Sequence, residues 1–528
     1  MESVILLMLS QVIIKLIGLI YKLYLTNKHG FGDRGNAIYS GAFQIYALFL
    51  TVSSIGVPNA ISKLVSAKVA IGDNKGAYRI FKIAFAIFGF IGFAGSSILF
   101  LGAKYIANVY LQIPEAEFSV LALSPSVFLV SVASVLRGYF NGRENISVTA
   151  NSQSLEQLFK TIFTIIIVEH IAMVSSHDTI LMASAAALAT TIATLFTLIY
   201  LYKIYIKNKK EVWKEVNLST NHKKDSISKI AKAIIMVSIP ISLSALFSAS
   251  TKTIDALTVV RFVKYMVGEN EAKNIYGILS GKIDILVALP YSFNIAFSTA
   301  LVPSISSAIA KKQVNIAKKR IEFSILVTIL IGIPCSILMS IFSQQILNIL
   351  FPNASQGAEM LMYSSWTIIF VVLTQTITGS LQGMGKVWTS VMAFGISAII
   401  KLILNVTLIP IMGVNGAIIS SIIASITAFI ICFVTLRENL KLSLNMNKFI
   451  IKPTIASIIM TFSTYYIYRR LNLIVYESIS LIISLFLGMI VYVIAILTLK
   501  ILSKEEIFML PYGQKAYKRL KAKKHESQ

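Results

Sequence analysis

The sequence predicts an all-α integral membrane protein of fourteen transmembrane helices: two six-helix lobes in a pseudo-two-fold repeat, then two extra helices at the C-terminal end. Three observations predict it. Charged residues make up 13% of the 528 and hydrophobic ones 56%, with a mean hydropathy of +0.77; a soluble domain carries about 25% charged residues. The apolar residues come in runs of about 20, the length that crosses a bilayer core as helix. Several residues also recur at a single offset between the two halves of the chain. A soluble enzyme, a secreted scaffold and a disordered chain are excluded.

The runs fall in order. Spans 1 to 6, at 4–25, 37–58, 80–103, 118–137, 155–173 and 179–202, make a first lobe over 1–202. A basic linker, 203–230, leads to a second lobe over 231–440, with spans at 231–258, 278–303, 323–343, 361–382, 388–411 and 414–436. Spans 13 and 14, at 449–468 and 474–499, lie in 441–500, and a basic tail occupies 501–528. The opening MESVILLML lacks a basic n-region and Lys15 interrupts its run, so it reads as an uncleaved first helix rather than a signal peptide. Loops after even-numbered spans carry better than three times the Lys and Arg of those after odd-numbered spans. Both termini are therefore expected in the cytoplasm. The net charge of +25 suits anionic lipid headgroups. At an offset of 241, Arg79-Ile80 maps to Arg320-Ile321, Gly138 to Gly379, Gly142 to Gly383 and Lys160 to Lys401, while Pro58 and Pro303 end spans 2 and 8. A six-span period keeps both halves in one orientation, which predicts a site between them near the midplane and alternating access.

Ionisable groups at that depth cost at least ~2.5–3.5 kcal/mol each, so they are the candidates for function. Lys15 and Lys22 in span 1 are nearly two turns apart and share a stripe with Gln11 and Gly18. Two ammonium groups about 10 Å apart along one face invite an anion, and a diphosphate fits; Lys22 could instead snorkel to the headgroups. Span 7 carries a polar stripe of Ser244, Ser248, Thr251, Asp255 and Thr258, with Lys252 three residues from Asp255 and able to pair with it. That pair either neutralises itself or lines the cavity, where an anion could displace Asp255. Lys282 and Asp284 in span 8 project about 200° apart, so at most one faces a cavity, and Lys282 is favoured. Glu156 and Lys160 read as a structural i,i+4 pair, and Lys401 as its repeat counterpart. Lys63, just past span 2, either meets an incoming headgroup or sits at the interface. The expected headgroup ligands are thus Lys15, Lys22, Lys252, Lys282 and Lys63; Gln11, Asp255, Ser248 and Thr251 are the polar or coupling candidates.

Other chemistries fit poorly. Basic residues sit in short loops rather than on a soluble module, which argues against nucleic acid. Cys335 and Cys432 lie inside apolar runs, and five scattered histidines offer no metal-ligand spacing, so no metal or cofactor is expected. Gly30-Phe31-Gly32-Asp33-Arg34-Gly35 matches GxGxxG, but a membrane helix precedes it where the dinucleotide fingerprint needs a strand. A membrane glycosyltransferase would want paired carboxylates near a large loop, and 203–230 holds only Glu211, Glu215 and Asp225.

The stretches SSIGVPNAISKLVSA (53–67), LRGYFNGRENISVTANSQSLEQLFK (136–160) and STALVPSISSA (298–308) resemble the polysaccharide-biosynthesis branch of the MOP flippase superfamily. The resemblance is strongest to the Gram-positive lipid II flippase group, the MurJ-type and stage V sporulation B proteins. It implies movement of an undecaprenyl-diphosphate-linked sugar, lipid II above all, from inner to outer leaflet of a bacterial plasma membrane. It also implies a cationic cavity lined by spans 1, 2, 7 and 8, in which Lys15, Lys22 and Lys282 match basic positions. Residues 449–499 would form a groove for the lipid tail. MurJ-type proteins use Arg in span 1; Lys keeps the charge and loses bidentate phosphate recognition. The implied partners are the lipid-linked sugar and anionic lipids, with a single copy sufficient and coupling to membrane potential, H⁺ or Na⁺ left open. Another undecaprenyl-linked unit, or a cation-coupled multidrug exporter of the same superfamily with an acidic cavity, are the alternatives.

Overall fold

A computed structural model of the chain describes residues 2–51, 56–219, 225–311, 313–442, 445–503 and 506. The side chains of 2–13 and 15 are outside the described set, and with them two expected site residues, Gln11 and Lys15. Among the described residues there are helices and no strand.

Eleven helical stretches among the described residues are long and apolar enough to cross a membrane. Large side chains such as Phe90, Leu101, Met173, Ile411 and Phe462 stand exposed on their outer faces. A soluble protein hides such a surface, whereas hydrocarbon is its natural solvent. The first half of the chain folds as α1 (Glu2–Asn27), α2 (Gly32–Thr51), α3 (Val57–Ala70), α4 (Asn74–Tyr105), α5 (Glu117–Gly142), α6 (Ile146–Val174) and α7 (Thr179–Leu218). The second half comprises α8 (Ile227–Val267), α9 (Glu269–Ile278), α10 (Asp284–Ala310), α11 (Val314–Ile341), α12 (Ser343–Leu350), α13 (Ala358–Ser364), α14 (Thr367–Gly383), α15 (Val387–Met412) and α16 (Val414–Leu440). Two further helices, α17 (Lys452–Leu471) and α18 (Glu477–Thr498), pack on each other, and α17 on α11.

Local chemistry fixes the helix ends. Asp73 accepts a hydrogen bond from Gly76 N at 2.8 Å to open α4, and Asp178 accepts from Ile180 N and Leu181 N at 2.8 and 3.0 Å to open α7. Gly268, at φ +87°, stops α8. Between α9 and α10 the five residues Leu279–Ile283 wind as a π-helical turn. Such a turn rotates the downstream helix relative to the upstream one, and so changes the directions in which Lys282 and Asp284 project. Small residues set the closest crossings: Gly138 and Gly142 of α5 let Pro58 and Val65 of α3 approach so tightly that an added Cβ would stand 2.9 and 2.7 Å from them.

The two halves meet through α1 on α10, α2 on α8 and α9, and α3 on α8. At the end bearing the α3–α4 and α7–α8 connections, Lys68 reaches Asp225 at 2.9 Å beside Lys229, also at 2.9 Å. Hydrogen bonds from Lys229 and Lys68 hold the Asp225 carboxyl down to about 2. The far end is clasped more extensively. Lys282 meets Asp33 at 2.9 Å, Lys273 meets Glu115 at 2.9 Å, and Lys264 donates to Gln112 at 2.9 Å. Asn27 donates to the Leu350 carbonyl at 2.8 Å. Beneath these contacts one apolar core joins Leu25 and Ile38 of the first half to Val259 and Leu347 of the second.

Gly277 of α9 sits so close to α2 that a Cβ would lie 1.8 Å from the Asp33 carbonyl oxygen. Gly277→Ala should therefore wedge the far end open. Introduced as Asn27→Cys and Asn353→Cys, two residues hydrogen-bonded across this end, a short bifunctional thiol reagent should join them in the parent chain and several-fold less in the Gly277→Ala background.

Candidate functional site

A cavity of about 260 Å³ lies within the second half, walled by α8, α10, α14, α15 and α16. Its charged lining is Lys252 and Asp255 of α8, Asp284 of α10 and Lys401 of α15. They form two ion pairs of different character. Lys401 Nζ meets Asp255 Oδ2 at 2.6 Å, with side-chain exposures of 3% and 11%, so this pair sits in the wall with little contact with the cavity water. Asn405, one turn beyond Lys401, donates to Asp255 Oδ1 at 3.0 Å and to Thr258 Oγ1 at 2.8 Å. Its own Oδ1 is buried with no hydrogen-bond partner among the described residues. The second pair, Lys252 with Asp284 at 3.1 Å, is 39% and 27% exposed and opens onto the cavity. The four charges cancel, so the cavity is polar and neutral rather than cationic.

A different electrostatic situation holds in the first half, among α1, α2 and α6. Lys22 is buried; its Nζ donates to Asn36 Oδ1 at 3.3 Å and stands 4.7 Å from the Tyr39 ring centroid. Asn36 in turn donates to Thr26 Oγ1 at 2.9 Å. Lys160, also buried and at the middle of α6, holds its Nζ over Tyr21, Phe43 and Tyr39, at 5.0, 4.6 and 5.8 Å from the ring centroids. Neither ammonium has a carboxylate partner among the described residues. Cation–π contact returns about 0.5–2 kcal/mol, against at least ~2.5–3.5 kcal/mol for placing a lysine at mid-membrane.

The structure rearranges several sequence-based expectations. Lys252 and Asp255 do not pair with each other: three helical residues leave their side chains about 60° apart, so Lys252 turns to α10 and Asp255 to α15. Of Lys282 and Asp284 it is Asp284 that lines the cavity. Lys282 belongs to the π turn, is fully buried, and is spent on Asp33 and the Ala354 carbonyl at 2.6 Å. Glu156 pairs at 2.7 Å with Arg137 rather than with Lys160. Ser248 and Thr251 line the cavity, whereas Lys63 lies exposed on α3. Lys22 does not snorkel; it points inward. Sequence reasoning passes over Lys401, Asn405 and Asp284 as site residues. The signal for Lys401 is present, since a lysine in the middle of an apolar run is costly, but analogy with Lys160 assigns it a structural role.

Residues 1–309 match a family model described as "Polysaccharide biosynthesis protein", and residues 284–407 match a second, MatE. Two Bacillus subtilis proteins are similar across much of their length. Stage V sporulation protein B is 23% identical over 492 residues, covering 91% of this chain and 92% of its own. The lipid II flippase MurJ is 25% identical over 413 residues, covering 74% of each. A solved structure of lipid II flippase MurJ, in an inward closed conformation, superposes with a TM-score of 0.67 at 15% identity, covering 93% of this chain and 98% of the other.

The closed pair makes a stability prediction. Lys401→Met strands a buried Asp255 carboxylate and should cost ~3–5 kcal/mol, and Asp255→Leu should do the same to Lys401. The double variant removes both charges and should recover most of the loss. Melting in detergent by tryptophan fluorescence reads all three; two single-variant losses that simply add would contradict the pairing.

Proposed function

Because the chain belongs to the polysaccharide biosynthesis protein family of the MOP superfamily, we propose that it is a carrier that moves a lipid-linked oligosaccharide between membrane leaflets by alternating access. The substrate proposed is lipid II, an undecaprenyl-diphosphate-linked peptidoglycan precursor, carried from inner to outer leaflet of a bacterial plasma membrane. Similarity to the lipid II flippase MurJ supports the class of cargo. The loop bias in Lys and Arg supports cytoplasmic termini. A single copy suffices in this reading, in a membrane whose anionic lipids meet the basic loops.

The observation that carries the proposal is the half-exposed Lys252–Asp284 pair on the cavity wall. A phosphate oxygen entering the cavity competes with Asp284 for Lys252 at little cost, because that pair is already wet. The Lys401–Asp255 pair, more deeply buried and hydrogen-bonded by Asn405, keeps its partners. At about 260 Å³ the cavity falls below the ~300–1,000 Å³ of small-molecule sites. A sugar-peptide headgroup therefore enters only when the halves part. The far-end clasp closes the present state on that side, and in this reading loading proceeds from the end of the α7–α8 linker once the Lys68–Asp225 bridge there parts. Lipid II carries negative charge, and an inside-negative potential of 100 mV favours outward movement by ~2.3 kcal/mol per charge.

Two experiments test this. Depletion of the protein in its host, with lipid-linked precursors quantified in each leaflet, should leave lipid II accumulating on the inner side. Accumulation of a different polyprenyl-linked sugar would replace lipid II as cargo, and accumulation of none would remove the flippase reading. Lys15→Ala with Lys22→Ala should abolish complementation at normal protein levels; a fully active double variant would contradict a role for span 1 in headgroup binding.

A further inference from the structure

The internal repeat places Lys160 and Lys401 at equivalent positions, 241 residues apart, on α6 and α15. Each projects from mid-helix toward the helix that opens its half, α1 or α8. At that meeting point the halves differ. In the second half α8 supplies Asp255, which neutralises Lys401 at 2.6 Å. In the first half α1 supplies Lys22, a second cation. Both ammonium groups stand within 6 Å of the centroid of one Tyr39 ring, and both side chains are more than nine-tenths buried. The second half thus carries its counter-ion in the chain, whereas the first half lacks one among the described residues.

We infer that Lys22 and Lys160 form a two-cation box that takes a diphosphate, with Lys160 holding one phosphate and Lys22 the other. The inference rests on the flippase reading for the identity of the diphosphate as a polyprenyl lipid headgroup, and it adds Lys160 as a substrate ligand. The geometry supplies a door. Asn36, which accepts the Lys22 hydrogen bond, is also the residue against which Gly281 of the second half is pressed: a Cβ there would stand 2.4 Å from Asn36 Cγ. Parting of the halves at the far end, which follows loading from the linker end, removes that backing and frees the Asn36 wall, so the box takes the diphosphate over from Lys252 as the carrier opens outward. Four-carbon stems then let both ammonium groups swing from over the rings toward the opening. The aromatic faces of Tyr21, Tyr39 and Phe43 hold Lys160 in place while the box is empty, and give it up to a charged oxygen.

The test uses the full chain purified in detergent, with farnesyl diphosphate, farnesyl monophosphate and phosphatidylglycerol as probes, read by calorimetric titration. The parent should prefer the diphosphate. Lys160→Gln should weaken diphosphate binding by about tenfold or more and abolish the preference over monophosphate, whereas Lys160→Arg should stay within about threefold of the parent. Melting without ligand separates this from a structural role. Removing an unneutralised buried charge should leave the ligand-free melting temperature of Lys160→Gln and of Lys160→Met unchanged or raised, whereas loss of a structural strut lowers it. Unaltered diphosphate binding in Lys160→Gln overturns the box, as does a parent that prefers phosphatidylglycerol or a variant that is destabilised while keeping its diphosphate preference. The two readings fail separately. Lipid II accumulation on depletion together with normal binding by Lys160→Gln removes the box alone. A working box without lipid II accumulation removes lipid II as cargo. A parent that binds no diphosphate removes both.

Discussion

The interior of this bundle answers to one constraint, the cost of holding a charge where water is absent. The Lys401–Asp255 pair shows how it is met. A 2.6 Å contact between the ions and a hydrogen bond to Asp255 from Asn405, itself held on Thr258, keep the pair satisfied within the bundle. Desolvation consumes much of the Coulomb gain in such a pair, so its value lies less in stability than in fixing which helices meet. It ties α8 to α15 across the second half, and the cavity opens beside it because the polar stripe of α8 faces inward along with Asp255. Lys252 and Asp284 meet the same constraint differently, by staying half in water.

The repeat gives this constraint a consequence for function. Two halves built on one plan have kept a lysine at the equivalent place on α6 and α15, yet among the described residues only one of these has an acid beside it. Where the acid is present, the charge is silent and structural. Where a second lysine and three aromatic rings stand instead, the charge is held without being cancelled. A carrier for an anionic cargo needs such an asymmetry, since a fully neutralised interior would give the cargo no electrostatic reason to enter. A fully cationic one would not release it.

How much the sequence discloses is set by the range over which each property is determined. Span length, apolar faces and loop charge depend on residues near in sequence, and each predicted run falls largely on helix in the described residues. Ion-pair partners depend on which helix lies alongside. Lys252 and Asp255, or Glu156 and Lys160, look like pairs on a lone helix, but in the bundle each member finds a better-placed partner on a neighbour: Asp284, Lys401, Arg137 and an aromatic cluster. The π turn is a second source of illegibility. Nothing in Leu279–Ile283 breaks helical periodicity on paper, yet that turn sends Lys282 to Asp33 and leaves Asp284 for the cavity. The Lys160–Lys401 correspondence is legible in the sequence; that the two lysines sit in opposite electrostatic settings requires the fold.

The contacts divide by strength in a way that suits a moving machine. At the far end Lys273–Glu115 and Lys264–Gln112 bridge the halves, each with a partner in partial contact with water. Exposed pairs contribute about 0–1 kcal/mol apiece, because water competes for both partners. They can therefore be exchanged for water one by one as the halves separate. Lys401–Asp255, internal to the second half, is more deeply buried at both ends and costs several kcal/mol to strand. A bundle wired in this manner deforms between its halves before it deforms within them. Lys282 and Lys273 are the exceptions: both are buried, yet joined across the divide to Asp33 and Glu115. Opening of the far end must hydrate both as they leave their carboxylates, and that makes the Lys282–Asp33 and Lys273–Glu115 bridges the step on which separation of the halves turns.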